Sequence, residues 1–146
     1  MKTDIAFWDT SAIVPLCCVQ DASFAARREK RRFKFAVVWW GTVVEIHSGI
    51  ARLKRLGQID DRGISRATLK WERFQEGANI VQPVASILSI GKTLPDTYGL
   101  RSQDAFQLAA ALEWCGERPR NRPFITADRR LGEAASDAGF NAITLS

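Results

Sequence analysis

Short apolar, β-prone segments alternate with helix-periodic segments along the whole of this 146-residue chain. Few arrangements bury both kinds of surface. Strands joined by helices must run parallel, and such a sheet is covered by helices on both faces. Strands are expected near 5–8, 35–39, 79–82, 124–126 and 142–144, where β-branched and aromatic residues concentrate. Between them, Val43, Ile46, Ile50, Leu53 and Leu56 make a helical stripe over 42–56 that Gly57 stops. Ile64, Ala67, Thr68, Trp71 and Phe74 mark a second helix, begun after Asp60 and Asp61 and ended near Gly77, and the two are expected to form a protruding pair. A further helix over 84–94 is expected to break at Pro95 and Gly99. Helices over 102–114 and 129–138 follow, separated by a basic loop at 118–123. The reading is an α/β chain of three layers, helix on sheet on helix.

The length fits one domain, able to bury roughly two-thirds of the surface its unfolded chain exposes. No stretch approaches the ~18 uninterrupted apolar residues of a membrane span, so no membrane partner is expected. The apolar run that begins at Ile5 is cut at Asp9, too soon for the core of a secretory signal. Cys17, Cys18 and Cys115 show no metal-ligand spacing, and the adjacent pair is expected as buried thiols at the end of a short helix. Free thiols agree with a reducing, cytoplasmic compartment. The net charge of +5 gathers at 27–34, at Arg52, Lys54 and Arg55, and at Arg118, Arg120 and Arg122, which suits a polyanionic partner as well as a solvated face.

Four acids carry the chemistry. Asp9 closes the first apolar run and is followed by Thr10 and Ser11; Asp128 closes Phe124-Ile125-Thr126. Both fall at the carboxyl ends of strands, the edge where open α/β sheets bind ligands. Asp104 lies in the first turn of its helix, where free N–H groups and the helix dipole favour a carboxylate, and Glu45 stands in an early helix. Each alone is explained by a cap, a helix-start charge or a solvated face. Gathered at one edge they would repel one another, and the usual reason to tolerate that is a hard cation such as Mg²⁺ or Mn²⁺. A ribonuclease mechanism built on paired histidines is excluded, because His47 is the single histidine of the chain and reads as a surface or dimer-face residue. Trp39 and Trp40 read as core or interface residues more readily than as base-stacking platforms.

Asp9-Thr10-Ser11 after a first strand, Glu45 in an early helix, Ser102-Gln103-Asp104-Ala105 leading into Leu108-Ala109-Ala110-Ala111, and Thr126-Ala127-Asp128-Arg129-Arg130-Leu131 resemble the PIN-domain nucleases, and most of all the VapC toxins of toxin–antitoxin pairs. The resemblance spans nearly the whole chain. It implies an α/β/α sandwich and a Mg²⁺- or Mn²⁺-dependent endoribonuclease whose metal-binding acids are Asp9, Glu45, Asp104 and Asp128, with supporting hydroxyls at Ser11 and Thr126. It implies a homodimer and a small antitoxin as partner, with RNA as substrate. Arg101, Arg129 and Arg130, beside the acids in sequence, are the candidate phosphate contacts. Two other readings stand beside it. One is a PIN-like module that binds RNA or an antitoxin without catalysis. The other is an aspartyl-phosphate phosphatase, weakened because Ser11 occupies the place of its second acid.

Overall fold

The computed structural model describes residues 3–146. Its strands are β1 (Ile5–Trp8), β2 (Phe35–Trp39), β3 (Ala78–Val81), β4 (Pro123–Thr126) and β5 (Asn141–Thr144), all parallel in the order β3-β2-β1-β4-β5. Side chains alternate across a strand, so each inner strand feeds two cores. Ala6, Trp8, Ala36, Val38 and Ile125 face one side; Phe7, Val37, Trp39 and Phe124 face the other. This is why the inner strands read as unbroken apolar runs rather than as alternating ones.

The chain builds one half of the sheet and then the other. From β1 it moves outward to β2 and β3 with α1 (Thr10–Cys17), α2 (Ser23–Arg32), α3 (Thr42–Arg55) and α4 (Asp61–Glu76) on the first face. It then crosses back through α5 (Ala85–Gly91), α6 (Leu94–Tyr98) and α7 (Ser102–Trp114) on the second face to β4, and α8 (Arg129–Ala138) leads to β5. Right-handed crossovers require this change of face when the direction of travel reverses. The reversal falls between β1 and β4.

Three expectations need correction. The basic run at 27–34 was expected only as a charge cluster, yet most of it belongs to the helix α2, whose buried stripe is Ala25, Ala26 and Glu29. Pro95 does not break a helix; it stands in the first turn of α6, where its missing N–H costs nothing, and Gly99 ends that helix in the left-handed region at φ 65°. The pair α3 and α4 does not protrude: Leu53, Ala67 and Trp71 are buried in the first-face core and both helices pack on α1. Cys17 and Cys18 are buried free thiols at the end of α1, as expected, and Cys115 is a buried free thiol as well. Among the described residues no helix is long and apolar enough to cross a membrane.

Candidate active site

Asp9 is fixed at the switch point by the backbone itself. Its N–H donates to the Ile125 carbonyl at 2.9 Å, extending the β1–β4 ladder by one residue before α1 begins. The position is the N-cap of α1, but the carboxylate makes no capping hydrogen bond. It turns instead across the switch point. Oδ2 accepts from the Ser11 hydroxyl and, at 2.8 Å, from the Thr126 hydroxyl at the end of β4. The two hydroxyls lie 3.1 Å apart and accept in turn from backbone N–H groups, Ser11 from Ala127 and Thr126 from Asp128. Asp9 is only 4% exposed. Burial pushes its carboxyl from 3.8 up to about 6, against the hydroxyls of Ser11 and Thr126, which hold it down, with the Asp104 charge adding to the rise. The Ser11 N–H lies close enough to oppose that rise slightly, though not in capping geometry.

Glu45 reaches the same edge from the first turn of α3. Burial is again the largest cause of a raised pKa, here from 4.5 to about 7, with the charges of Asp9 and Asp104 adding to it. Two side chains unforeseen in the sequence reading, Thr42 and Gln107, surround it together with Thr10. Thr10 donates to Glu45 Oε1 at 3.1 Å, and Gln107 Nε2 lies 3.3–3.4 Å from both carboxylate oxygens. Gln107 Nε2 also lies 3.0 Å from the hydroxyls of Thr10 and Thr42. The starts of α1 and α3 are thus tied to the second turn of α7. A signal for Gln107 was present, since it stands three residues after Asp104 on a face of α7 otherwise lined by Leu108 and Ala111.

Asp104 is half-buried. Its pKa is raised by burial and by the charge of Asp128, and lowered by the guanidinium groups of Arg101 and Arg130. Asp128 does cap its helix: Oδ1 accepts from the N–H groups of Arg130 and Leu131 at 2.9 and 3.2 Å. The structure therefore brings all four acids to one edge. Arg101 and Arg130 stand beside them, and Arg129, also exposed, is 3.8 Å from Glu133. His47 is exposed and Trp8 is wholly buried in the first-face core. Trp39 stacks on Phe106 with ring centroids 5.6 Å apart, while Trp40 is 53% exposed.

The donors at this edge are all oxygen, the set a hard divalent cation prefers, and their mutual repulsion is what a cation would relieve. Among the described residues no group of three or more His, Cys, Asp or Glu side chains is arranged as it stands to hold an ion. Mg²⁺ keeps several waters and binds through one or two carboxylates together with substrate phosphate oxygens, so a closed cage is not required. The residues fit such an open site. Asp9, Glu45 and Asp104 offer carboxylates, and Asp128 retains one oxygen outside its cap.

No family model matches the chain, and no curated protein does. Two solved structures share its fold. One is PAE2754 from Pyrobaculum aerophilum, 20% identical, with 97% of this chain and 90% of that one covered at a TM-score of 0.64. The other is FitAcB from Neisseria gonorrhoeae, 18% identical, with 94% and 97% covered at a TM-score of 0.61. This chain shares their fold, a three-layer α/β/α sandwich of the PIN-like kind.

Proposed function

We propose that this chain, with its PIN-like fold, is a metal-dependent endoribonuclease and the toxin of a toxin–antitoxin pair. The observation that supports it best is the mutual influence of the acids. Asp104 raises the pKa of Asp9, Asp9 and Asp104 raise that of Glu45, and Asp128 raises that of Asp104. Carboxylates pressed together at a switch point, with perturbed pKa values, suit a ligand-binding centre better than a structural one.

In this reading Asp9, Glu45, Asp104 and Asp128 hold Mg²⁺ or Mn²⁺, with Ser11 and Thr126 fixing the Asp9 carboxylate. When bound there, such an ion would lower the pKa of a coordinated water and offset charge on the scissile phosphate. Arg101, Arg129 and Arg130 bind flanking phosphates and bring the backbone to the acids. No side-chain nucleophile is needed. The antitoxin partner is supported by the FitAcB likeness, since that assembly is a toxin–antitoxin complex. A homodimer is supported by the exposed apolar side chains Trp40, Val44 and Leu88, surface that a second copy would cover. The setting is read as the cytoplasm.

The test is cleavage of RNA by the purified, partner-free chain. Cleavage with Mg²⁺ or Mn²⁺ that stops in EDTA, and falls by orders of magnitude in Asp104→Asn while His47→Ala retains most of it, is the expected result. RNA binding without cleavage under the same conditions would establish the silent module instead.

A further inference from the structure

Gln107 is 1% exposed, and among the described residues one end of its amide is hydrogen-bonded while the other is not. Nε2 has two protons and four acceptors within 3.4 Å: Thr10 Oγ1, Thr42 Oγ1 and both oxygens of Glu45. Oε1, at the other end of the same amide, is buried without a hydrogen-bond partner among the described residues. A leucine at this position would continue the apolar face of α7 and remove the unpaired Oε1, although the Thr42 hydroxyl and the Glu45 carboxylate would lose the amide N–H. The packing of α7 alone gives no reason for an amide here.

The carboxylate supplies one. Glu45 comes from a helix start with no backbone N–H directed at its oxygens among its hydrogen bonds; its partners are Thr10 and Gln107. Thr10 reaches Oε1, whereas Gln107 touches both oxygens and so fixes the plane of the carboxylate as well as its position. Groups that orient a metal-binding side chain in this way set how tightly the ion is held.

We infer that Gln107 is a positioning residue of the acidic site, holding the Glu45 carboxylate in the orientation in which it binds a divalent cation. The inference rests on the reading of the acids as a cation site. Gln107 touches neither ion nor substrate in this scheme. Its effect passes through Glu45.

Mn²⁺ binding by the metal-free protein, followed by the EPR signal of free Mn²⁺, tests this without any turnover. Four chains are compared: parent, Glu45→Gln, Gln107→Leu and the double variant. The expected result is that Gln107→Leu weakens Mn²⁺ binding by about 10- to 100-fold. In the Glu45→Gln background the same change should cost less than about twofold. Gln107→Leu should melt in EDTA somewhat below the parent, because the amide's bonds to Thr10, Thr42 and Glu45 are lost along with the unpaired Oε1, so its fold is checked by circular dichroism before binding is read. Should that variant fail to fold, Gln107→Met, which keeps the length of the side chain, is held to the same expectations. Weakened binding in Glu45→Gln with unchanged binding in folded Gln107→Leu would overturn the inference and leave the cation site standing. Equal losses from Gln107→Leu in both backgrounds would overturn it too, by showing that the residue acts through the fold. A parent that binds no Mn²⁺, or a Glu45→Gln chain that binds it as well as the parent, would remove the cation-site reading of Glu45 and the inference with it.

Discussion

Thr126 donates its hydroxyl proton to Asp9 Oδ2 at 2.8 Å, joining residues 117 positions apart across the switch point. That bond favours the ionised carboxylate and opposes the larger effect of burial. Thr126→Val keeps the shape and removes the donor. The Asp9 titration, followed by carboxyl ¹³C NMR in EDTA, is expected to move upward from about 6. Above that pH the variant should lose about 1.5–3 kcal/mol, the usual worth of a hydrogen bond to a charged group. An unmoved midpoint would mean that the hydroxyl does not hold the charge.

Stability of the metal-free protein should fall as pH rises. The folded-state pKa values of Asp9 and Glu45, about 6 and about 7, lie above the ordinary 3.8 and 4.5. The native state therefore binds more protons than the unfolded one between those limits. The contribution is fully present below pH 3.8 and lost by the time pH has passed about 7. For Asp9 alone it is on the order of 3 kcal/mol. Urea denaturation of the parent from pH 4 to pH 8 in EDTA should show this decline, and Asp9→Asn should show a shallower one. Identical slopes would contradict the strain assigned to Asp9.

RNA affinity should weaken steeply with salt, through counterion release at several Lys and Arg contacts. Arg130 is close enough to Asp104 to lower its pKa, whereas Arg31 and Arg32 end α2 just before β2 begins, at the opposite edge of the sheet from the acids. Replacing Arg129 and Arg130 together should flatten the salt dependence more than replacing Arg31 and Arg32. Equal effects in fluorescence-anisotropy titrations would put the RNA path elsewhere.

Gly41 precedes α3 and lies against the indole of Trp39, which a β-carbon at position 41 would overlap. That indole is stacked on Phe106 and nearly buried, so it has little room to yield. Gly41→Ala is expected to cost roughly 1–3 kcal/mol in urea denaturation. A neutral result would show that the Trp39 stack is loose.

The sheet was legible because its inner strands are buried on both faces and read as apolar runs; β2 and β1 matched residue for residue. The helices α7 and α8 were equally clear, with Gly139 closing the second in a left-handed turn. α2 was hidden by its own composition, since Ala25 and Ala26 are its only buried apolar residues among Arg27, Arg28, Lys30, Arg31 and Arg32. Pro95 was misread because a proline that opens a helix looks, in sequence, like one that ends it. In the site, carboxylates at strand ends announced themselves by position, whereas Thr42 and Gln107 did not. Their importance lies in contacts between the starts of α1 and α3 and the second turn of α7; for Gln107 the one trace was a polar residue on the apolar face of α7, one turn after Asp104, and for Thr42 there was none.

The central claim is that four acids from distant parts of the chain act as one site for a divalent cation, and thermal melts with EDTA and with Mn²⁺ test it most directly. An ion present at 100 times its dissociation constant stabilises by about 2.7 kcal/mol, on the order of 8 °C for a domain of this size. The parent should show a shift of that kind. Asp9→Asn should melt at or above the parent in EDTA near neutral pH, because one repelling charge is gone, and should gain much less from Mn²⁺. Matching Mn²⁺ shifts in the two proteins, or no shift in the parent, would contradict a shared metal site that includes Asp9.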